Sequence, residues 1–339
     1  MKRLIHILYI VVLLPTLLSS CHDIPTMPDN PRGNFEALWN VIGEHYCFLR
    51  EKGIDWDSIH SVYSKRISDE MNSQELFTVL AEMLNELKDG HTNLSSAWET
   101  SYYRKWWSDY PQNYDSRLIE QYYFNFNYRQ LGGIKYGIVA DNIGYIGYPT
   151  FATSIGDGNI DAILSYLATC SGLIIDIRDN GGGDLTGVEQ LVSRFTTQRI
   201  LAGYMVHKTG PGRDDFSEPF AYYFSPAQEG RLMWTKPVVI LTNRSTFSAA
   251  NNFVAVMQYL PQVKVAGART GGGSGMPFSS ELPCGWGVRF SACSLLDAKG
   301  NITEWGIDPT EGCNVDLDPD AALDGHDTIL DFAIQLLAE

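Results

Sequence analysis

In this 339-residue chain the stretch whose residue types most directly suggest chemistry is Asn243-Arg244-Ser245-Thr246-Phe247-Ser248-Ala249-Ala250-Asn251-Asn252-Phe253. The apolar run Val238-Val239-Ile240-Leu241 precedes this stretch, and Phe253, Val256, Met257 and Leu260 follow at helical spacing. The pattern predicts a buried strand, a tight polar turn and a helix whose first turn holds Ser248. On such a turn a serine hydroxyl is exposed while the free N–H groups of the helix start face the same point. Acyl transfer needs both, a nucleophilic oxygen and donors aimed at the oxyanion that forms. The competing reading is that Ser248 merely caps its helix, a common task for serine.

Two further stretches bear on that choice. Asp89-Gly90-His91-Thr92-Asn93-Leu94 follows a helix stop. A histidine there feels the negative end of the helix dipole, which favours its taking a proton, although it could equally serve as a C-cap. The second stretch, Ile174-Ile175-Asp176-Ile177-Arg178-Asp179-Asn180-Gly181-Gly182-Gly183-Asp184, runs from an apolar strand through three glycines towards a helix over 188–195. This is a βα crossover whose loop lets backbone approach a ligand closely. It lacks the Gly-Lys-Ser/Thr ending and the GxGxxG spacing, so it is no phosphate loop, and its N–H groups could instead complete an oxyanion site.

Around these stretches the chain divides by periodicity. Residues 34–90 read as three helices, with stripes Phe35, Leu38, Trp39, Ile42, Tyr46, then Trp56, Ile59, Tyr63, then Leu76, Leu80, Met83, Leu84. Asn72 and Glu75 form a capping box for the third, which Lys88 and Gly90 end. Residues 98–128 are crowded with rings such as Trp106, Trp107, Tyr122 and Phe124, which either line a groove or cover a sheet. From residue 134 strands alternate with helices, over 134–139, 143–148, 157–168, 203–208, 221–224 and 263–266. A glycine-rich run over 270–275 reads as flexible, an antiparallel section follows over 286–293, and a helix over 329–337 closes the chain.

The N-terminus has its own signature. Lys2-Arg3, an apolar run over 4–18 and Ser19-Ser20-Cys21 resemble a bacterial lipoprotein signal, with cleavage before Cys21 and lipid on its thiol. The proline-bearing stretch over 21–33 then reads as a tether. The expected layout is a signal over 1–20, that tether, a helical domain over 34–95, an aromatic connecting segment over 96–133 and an α/β core over 134–339. A formal charge of -15 makes nucleic acid a poor partner. No CxxC pair or metal-ligand spacing occurs, so neither metal nor cofactor is expected, and no disulfide is assigned among Cys284, Cys293 and Cys313.

Together, Lys88-Asp89-Gly90-His91, Ile175-Asp176-Ile177-Arg178-Asp179-Asn180-Gly181-Gly182-Gly183, Ser245-Thr246-Phe247-Ser248-Ala249-Ala250 and Glu304-Trp305-Gly306-Ile307-Asp308-Pro309 resemble the tail-specific (C-terminal processing) and tricorn-core serine peptidases. The resemblance covers most of the chain. It implies an α/β fold, a crotonase/ClpP-like spiral of ββα units behind a small three-helix N-terminal domain. It also implies Ser248 as nucleophile, with an oxyanion hole from the N–H groups of Ala249 and of Gly181 or Gly182.

Tail-specific members use a Ser-Lys dyad, but the matching turn here, Thr270-Gly271-Gly272-Gly273-Ser274, has no lysine. Tricorn-core members use a histidine and a glutamate, which His91 and Glu304 match. Gly90 replaces a serine that often links that histidine to the glutamate, which leaves Thr92 or a direct contact from Glu304. Asn251 replaces another common glutamate, and the segment between residues 91 and 134 is too short for a PDZ module.

The implied activity is that of a lipid-anchored peptidase of the bacterial cell envelope. It would act on polypeptide through an acyl-enzyme on Ser248, with His91 as general base. The alternatives are a non-catalytic ligand- or peptide-binding protein on the same fold, or an esterase-type acyl hydrolase.

Overall fold

The computed structural model describes residues 27–338. The expected signal segment, Cys21 and the first part of the expected tether, to residue 26, lie outside the described residues. Where that tether was expected to end, the chain is already helical, because Pro31 opens α1 (Pro31–His45) and Asn30 Oδ1 caps it from Gly33 N–H at 2.8 Å. α2 (Trp56–Tyr63) is capped by Asp55, and α3 (Ser73–Asn85) carries the Asn72/Glu75 capping box in full. α3 stops at Asn85, short of the expected Lys88-Gly90 end, and Lys88 takes a left-handed φ of 48° just beyond it.

Phe35, Leu38, Ile42, Trp56, Leu80 and Met83 form one core with Trp286, Val288 and Phe290. The helical unit is therefore seated on a later strand, β11 (Gly287–Leu296), and the turn that joins it to β10 (Gly275–Glu281). Both strands belong to an antiparallel sheet with β1 (Asn93–Ser95), β6 (Ile200–His207) and β7 (Phe220–Phe224). In it β1 pairs with β11, Leu94 opposite Val288. The segment that carries His91 is thus fixed by residues almost two hundred positions later.

The second sheet has six strands. β2 (Arg129–Leu131), β3 (Ile134–Ala140) and β4 (Ile143–Gly147) are antiparallel neighbours. β4, β5 (Gly172–Asp176), β8 (Val238–Thr242) and β9 (Val263–Gly267) run parallel. The crossovers use α4 (Asp157–Tyr166), α5 (Leu185–Val192) and α6 (Ala249–Met257). Every residue of β5 and β8 is buried, as expected of parallel strands covered on both faces. Because β5 and β8 are adjacent, the glycine turn after one and the Ser248 turn after the other leave the same edge of the sheet, where open α/β sheets carry their sites.

The aromatic segment covers rather than pairs. Phe124 lies so close over β3 that a Cβ on Gly137 would sit 2.6 Å from its ring, and Trp106 stacks on Phe247 at 4.0 Å. The C-terminal helix α7 (Thr328–Ala338) is docked by charge as well as by apolar contact. Asp327 Oδ1 caps it from Ile329 N–H at 3.1 Å and Leu330 N–H at 3.0 Å, while its carboxylate also pairs with the fully buried Arg178 at 2.9 Å. Arg178 in turn holds Asp176 at 2.6 Å. Removing one member of such a cluster strands its partner's charge, so Asp327→Ala should lower stability by about 3 kcal/mol or more, read from the urea midpoint.

Candidate active site

Ser248 occupies the elbow between β8 and α6 with φ 57° and ψ -121°. That conformation is strained for a residue with a side chain, and such strain concentrates at functional sites. Two backbone bonds hold it, Ser248 N–H to the Gly272 carbonyl and Asn252 N–H to the Ser248 carbonyl, both 2.9 Å. Its hydroxyl makes no capping bond to the helix. Instead Oγ lies 2.9 Å from His91 Nε2, so the structure brings together the two residues that the sequence placed 157 positions apart.

His91 is 4% exposed and hangs from a loop beyond α3. Its backbone N–H donates to Asp89 Oδ1 at 2.7 Å, and Asp89 Oδ2 accepts from the hydroxyls of Tyr46 at 2.8 Å and Ser291 at 2.9 Å. The Phe247 ring packs against the imidazole at 4.7 Å, with Trp106 behind it. Gly90 lets this stack form, since a Cβ there would lie 2.6 Å from Trp106 Nε1 and 3.0 Å from the Phe247 ring. The dipole argument for a readily protonated histidine fails here. α3 ends six residues earlier, and burial pushes His91 down to about 4, Asp89 opposing and Arg289 and Lys52 adding to the fall.

The glycine turn reaches the nucleophile through Phe247 N–H, which donates to the Asn180 carbonyl at 3.0 Å. Gly182, at φ 97°, touches the elbow directly. A Cβ on it would sit 2.7 Å from Ser248 Cβ and 2.8 Å from Ala249 N. Of the two glycines expected to supply an oxyanion donor, Gly182 has its N–H committed to Asn180 Oδ1 at 2.9 Å, a correction to that expectation. The N–H groups of Ala249 and Gly181 have no acceptor among the described residues. A groove of about 490 Å³ opens at Ser248, walled by Ala152, Leu185, Met276, Pro277 and Leu295.

Glu304 is buried close by but does not contact His91. Its Oε1 pairs with Lys52 Nζ at 3.0 Å and its Oε2 accepts Ser274 N–H at 2.9 Å, which corrects the expectation of a direct contact with the imidazole. Thr92 is no bridge either, since its Oγ1 and His91 Nδ1 are both buried without a partner among the described residues. Burial beside Asp89 raises Glu304 to about 7, against the pull of Lys52. The supposedly flexible run over 270–275 is buried throughout, pinned by Gly271 N–H to the Thr246 carbonyl at 2.8 Å and Gly273 N–H to the Glu304 carbonyl at 3.0 Å.

Residues 142–312 match the family described as Peptidase family S41, and residues 27–85 match the Tricorn protease C1 domain. A solved protein from Parabacteroides merdae ATCC 43184, described as a candidate peptidase, is 47% identical with a TM-score of 0.87, over 92% of this chain and 98% of that one. The chain belongs to peptidase family S41. That family is one of serine peptidases, and its fold is the α/β architecture expected. Mature CPAF, 12% identical, shares that fold with a TM-score of 0.67 over 91% of this chain and 96% of its own. An uncharacterized protein of Chlamydia muridarum (strain MoPn / Nigg) is 35% identical over 65 residues, 19% of this chain, and the match spans 10% of that relative's length.

Within this S41 chain one residue expected from the resemblance is replaced, and the geometry shows what the replacement does. Asn251, standing for a glutamate, donates to the Thr303 carbonyl at 3.2 Å and accepts from Thr270 Oγ1 at 2.7 Å, so it braces the turns around Glu304. Sequence reasoning missed Lys52, Asp89 and Arg289. Lys52 sits in Arg50-Glu51-Lys52-Gly53, which reads as an ordinary charged turn. Asp89 lay inside a quoted motif without a role. Arg289 is an exposed β-strand position with no acidic partner among the described residues, felt by His91 as a nearby positive charge.

Proposed function

We propose that this S41 serine peptidase hydrolyses polypeptides through an acyl-enzyme on Ser248, with His91 as general base and then general acid. The contact that carries the proposal is His91 Nε2 to Ser248 Oγ at 2.9 Å, beside two N–H groups free to receive an oxyanion. In the first step Oγ bonds to the scissile carbonyl carbon as His91 Nε2 takes the hydroxyl proton. The carbonyl oxygen becomes an oxyanion held by Ala249 N–H and Gly181 N–H. Collapse breaks the C–N bond while His91 returns its proton to the leaving amine. Water then repeats the sequence and frees the acid. Glu304 serves in this scheme through the turn it anchors rather than by touching the imidazole.

The catalytic assignment is tested by intact-mass analysis after treatment with a fluorophosphonate probe. One adduct on the wild-type chain, absent from Ser248→Ala, is expected. An unlabelled wild-type chain at every pH between about 5 and 9 would sink the assignment and favour a non-catalytic binder.

The pH profile follows from the lowered proton affinity of His91. The base must be neutral to act, and with a pKa of about 4 it stays neutral in mild acid. Between pH 7 and pH 5.5, kcat/KM should therefore lose nothing to protonation of His91, and a fall over that interval reports Glu304, which takes up a proton near pH 7. A histidine at its ordinary value would lose about tenfold over that interval.

Anchoring is a separate part of the proposal. Lys2-Arg3, the apolar run over 4–18 and Cys21 support export and lipidation, which would tether the domain to a membrane of the bacterial cell envelope. Intact mass of chain isolated from a bacterial membrane fraction should begin at Cys21 with added acyl mass. Soluble chain with an unmodified Cys21 would dismiss the anchor.

A further inference from the structure

The chemistry above leaves a buried cation beside the site without a task. Lys52 stands on the loop between α1 and α2, its side chain 8% exposed. Burying an ammonium is costly unless it is paired, so its partners indicate what it is for. Nζ lies 3.0 Å from Glu304 Oε1 and 3.8 Å from Asp89 Oδ2, and faces the carbonyls of Leu87 at 3.3 Å and Lys88 at 3.4 Å.

Each of those carboxylates holds one half of the dyad. Asp89 Oδ1 takes the backbone N–H of His91 at 2.7 Å. Glu304 Oε2 takes Ser274 N–H at 2.9 Å, in the turn whose Gly272 carbonyl holds Ser248 N–H at 2.9 Å. We propose that Lys52 is a positioning residue, whose ammonium joins Asp89 to Glu304 and so fixes the loop carrying the base against the turn carrying the nucleophile. The inference rests on the reading of Ser248 and His91 given above.

The charges agree with this role. Burial would strip the proton from Lys52, but Asp89 and Glu304 hold it and raise its proton affinity above the ordinary value. Tyr46 and Cys47 also face this cluster, and both are kept protonated by burial and by the two carboxylates. His91 is faced by Asp89, Arg289, Lys52 and the Ser248 hydroxyl. Of the two cations, only Lys52 is buried between the carboxylates. Removing it leaves Asp89 and Glu304 uncompensated and takes a positive neighbour from His91, so the imidazole should bind a proton more readily.

The experiment compares wild type, Lys52→Met and the double variant Lys52→Met/Glu304→Gln by rate of fluorophosphonate labelling from pH 4.5 to 9. The double variant removes a cation and an anion together, which spares the fold an orphaned carboxylate. For Lys52→Met the expected result is a rate at pH 8 lower on the order of 100-fold, with the acid limb moved up by one pH unit or more. The double variant should stay slow but show the smaller shift. A general loss of packing would expose His91 and move the limb by the same amount in both variants, with a lowered urea midpoint.

If wild type labels and a folded variant labels at the same rate with the same limb, Lys52 is no positioning residue. If Lys52→Met does not fold, the double variant decides alone, since a wild-type rate from it overturns the proposal. Failure of wild type itself to label would instead strike the catalytic reading on which the inference stands.

Discussion

Ser248→Ala and His91→Ala should each lower kcat on the order of a millionfold, and the double variant should be no worse than either alone. The two side chains act as one unit through a single 2.9 Å contact, so losing either member removes the proton transfer and the attack together. Ser248→Ala should cost about 1 kcal/mol of stability or less, because alanine fits the same backbone and the hydroxyl's contact to His91 Nε2 is the bond lost. Kinetics on a denatured protein or casein digest, with the urea midpoint measured in parallel, separates the two effects. Independent, additive losses would mean that the residues do not work on the same proton.

Gly182→Ala is the second large effect expected. A Cβ there meets Phe247 O at 2.7 Å, Ser248 Cβ at 2.7 Å and Ala249 N at 2.8 Å, all of them parts of the elbow and none a flexible side-chain end. The backbone must also hold φ 97°, which disfavours any side chain. The glycine turn and the nucleophile must then separate by a substantial fraction of an ångström. Activity should fall on the order of 100-fold or more, while the protein still folds with a stability loss of a few kcal/mol. Gly181→Ala is the control for this argument. A Cβ at Gly181 meets nothing within 4 Å, so its urea midpoint should stay close to wild type. Equal midpoints and rates for Gly182→Ala and wild type would refute the close approach.

What could be read from the sequence was local. The strand, turn and helix around Ser248 are encoded within a few turns of chain, and so are the glycine run after β5 and the capping box of α3. The sequence motifs named His91 as partner, but the hydroxyls of Tyr46 and Ser291 that hold Asp89 beneath it come from distant parts of the chain. Long-range contacts decided the rest. Lys52 meets Glu304 across most of the chain, and no periodicity marks a lysine that will be buried. The proton affinity of His91 was misjudged because the dipole is a local effect, whereas burial under Phe247 and Trp106 is a tertiary one. The run over 270–275 looked flexible from its glycines, yet those glycines are what let it thread between Phe247 and Glu304.

The pairing of β1 with β11 carries a temporal consequence. The histidine loop has no strand to settle against until residues 287–289 have been made, and the turn that holds Ser248 N–H waits in the same way for Glu304. Serine and histidine are thus both fixed by a stretch of chain later than either, so neither half of the site is set in place until the antiparallel sheet is complete.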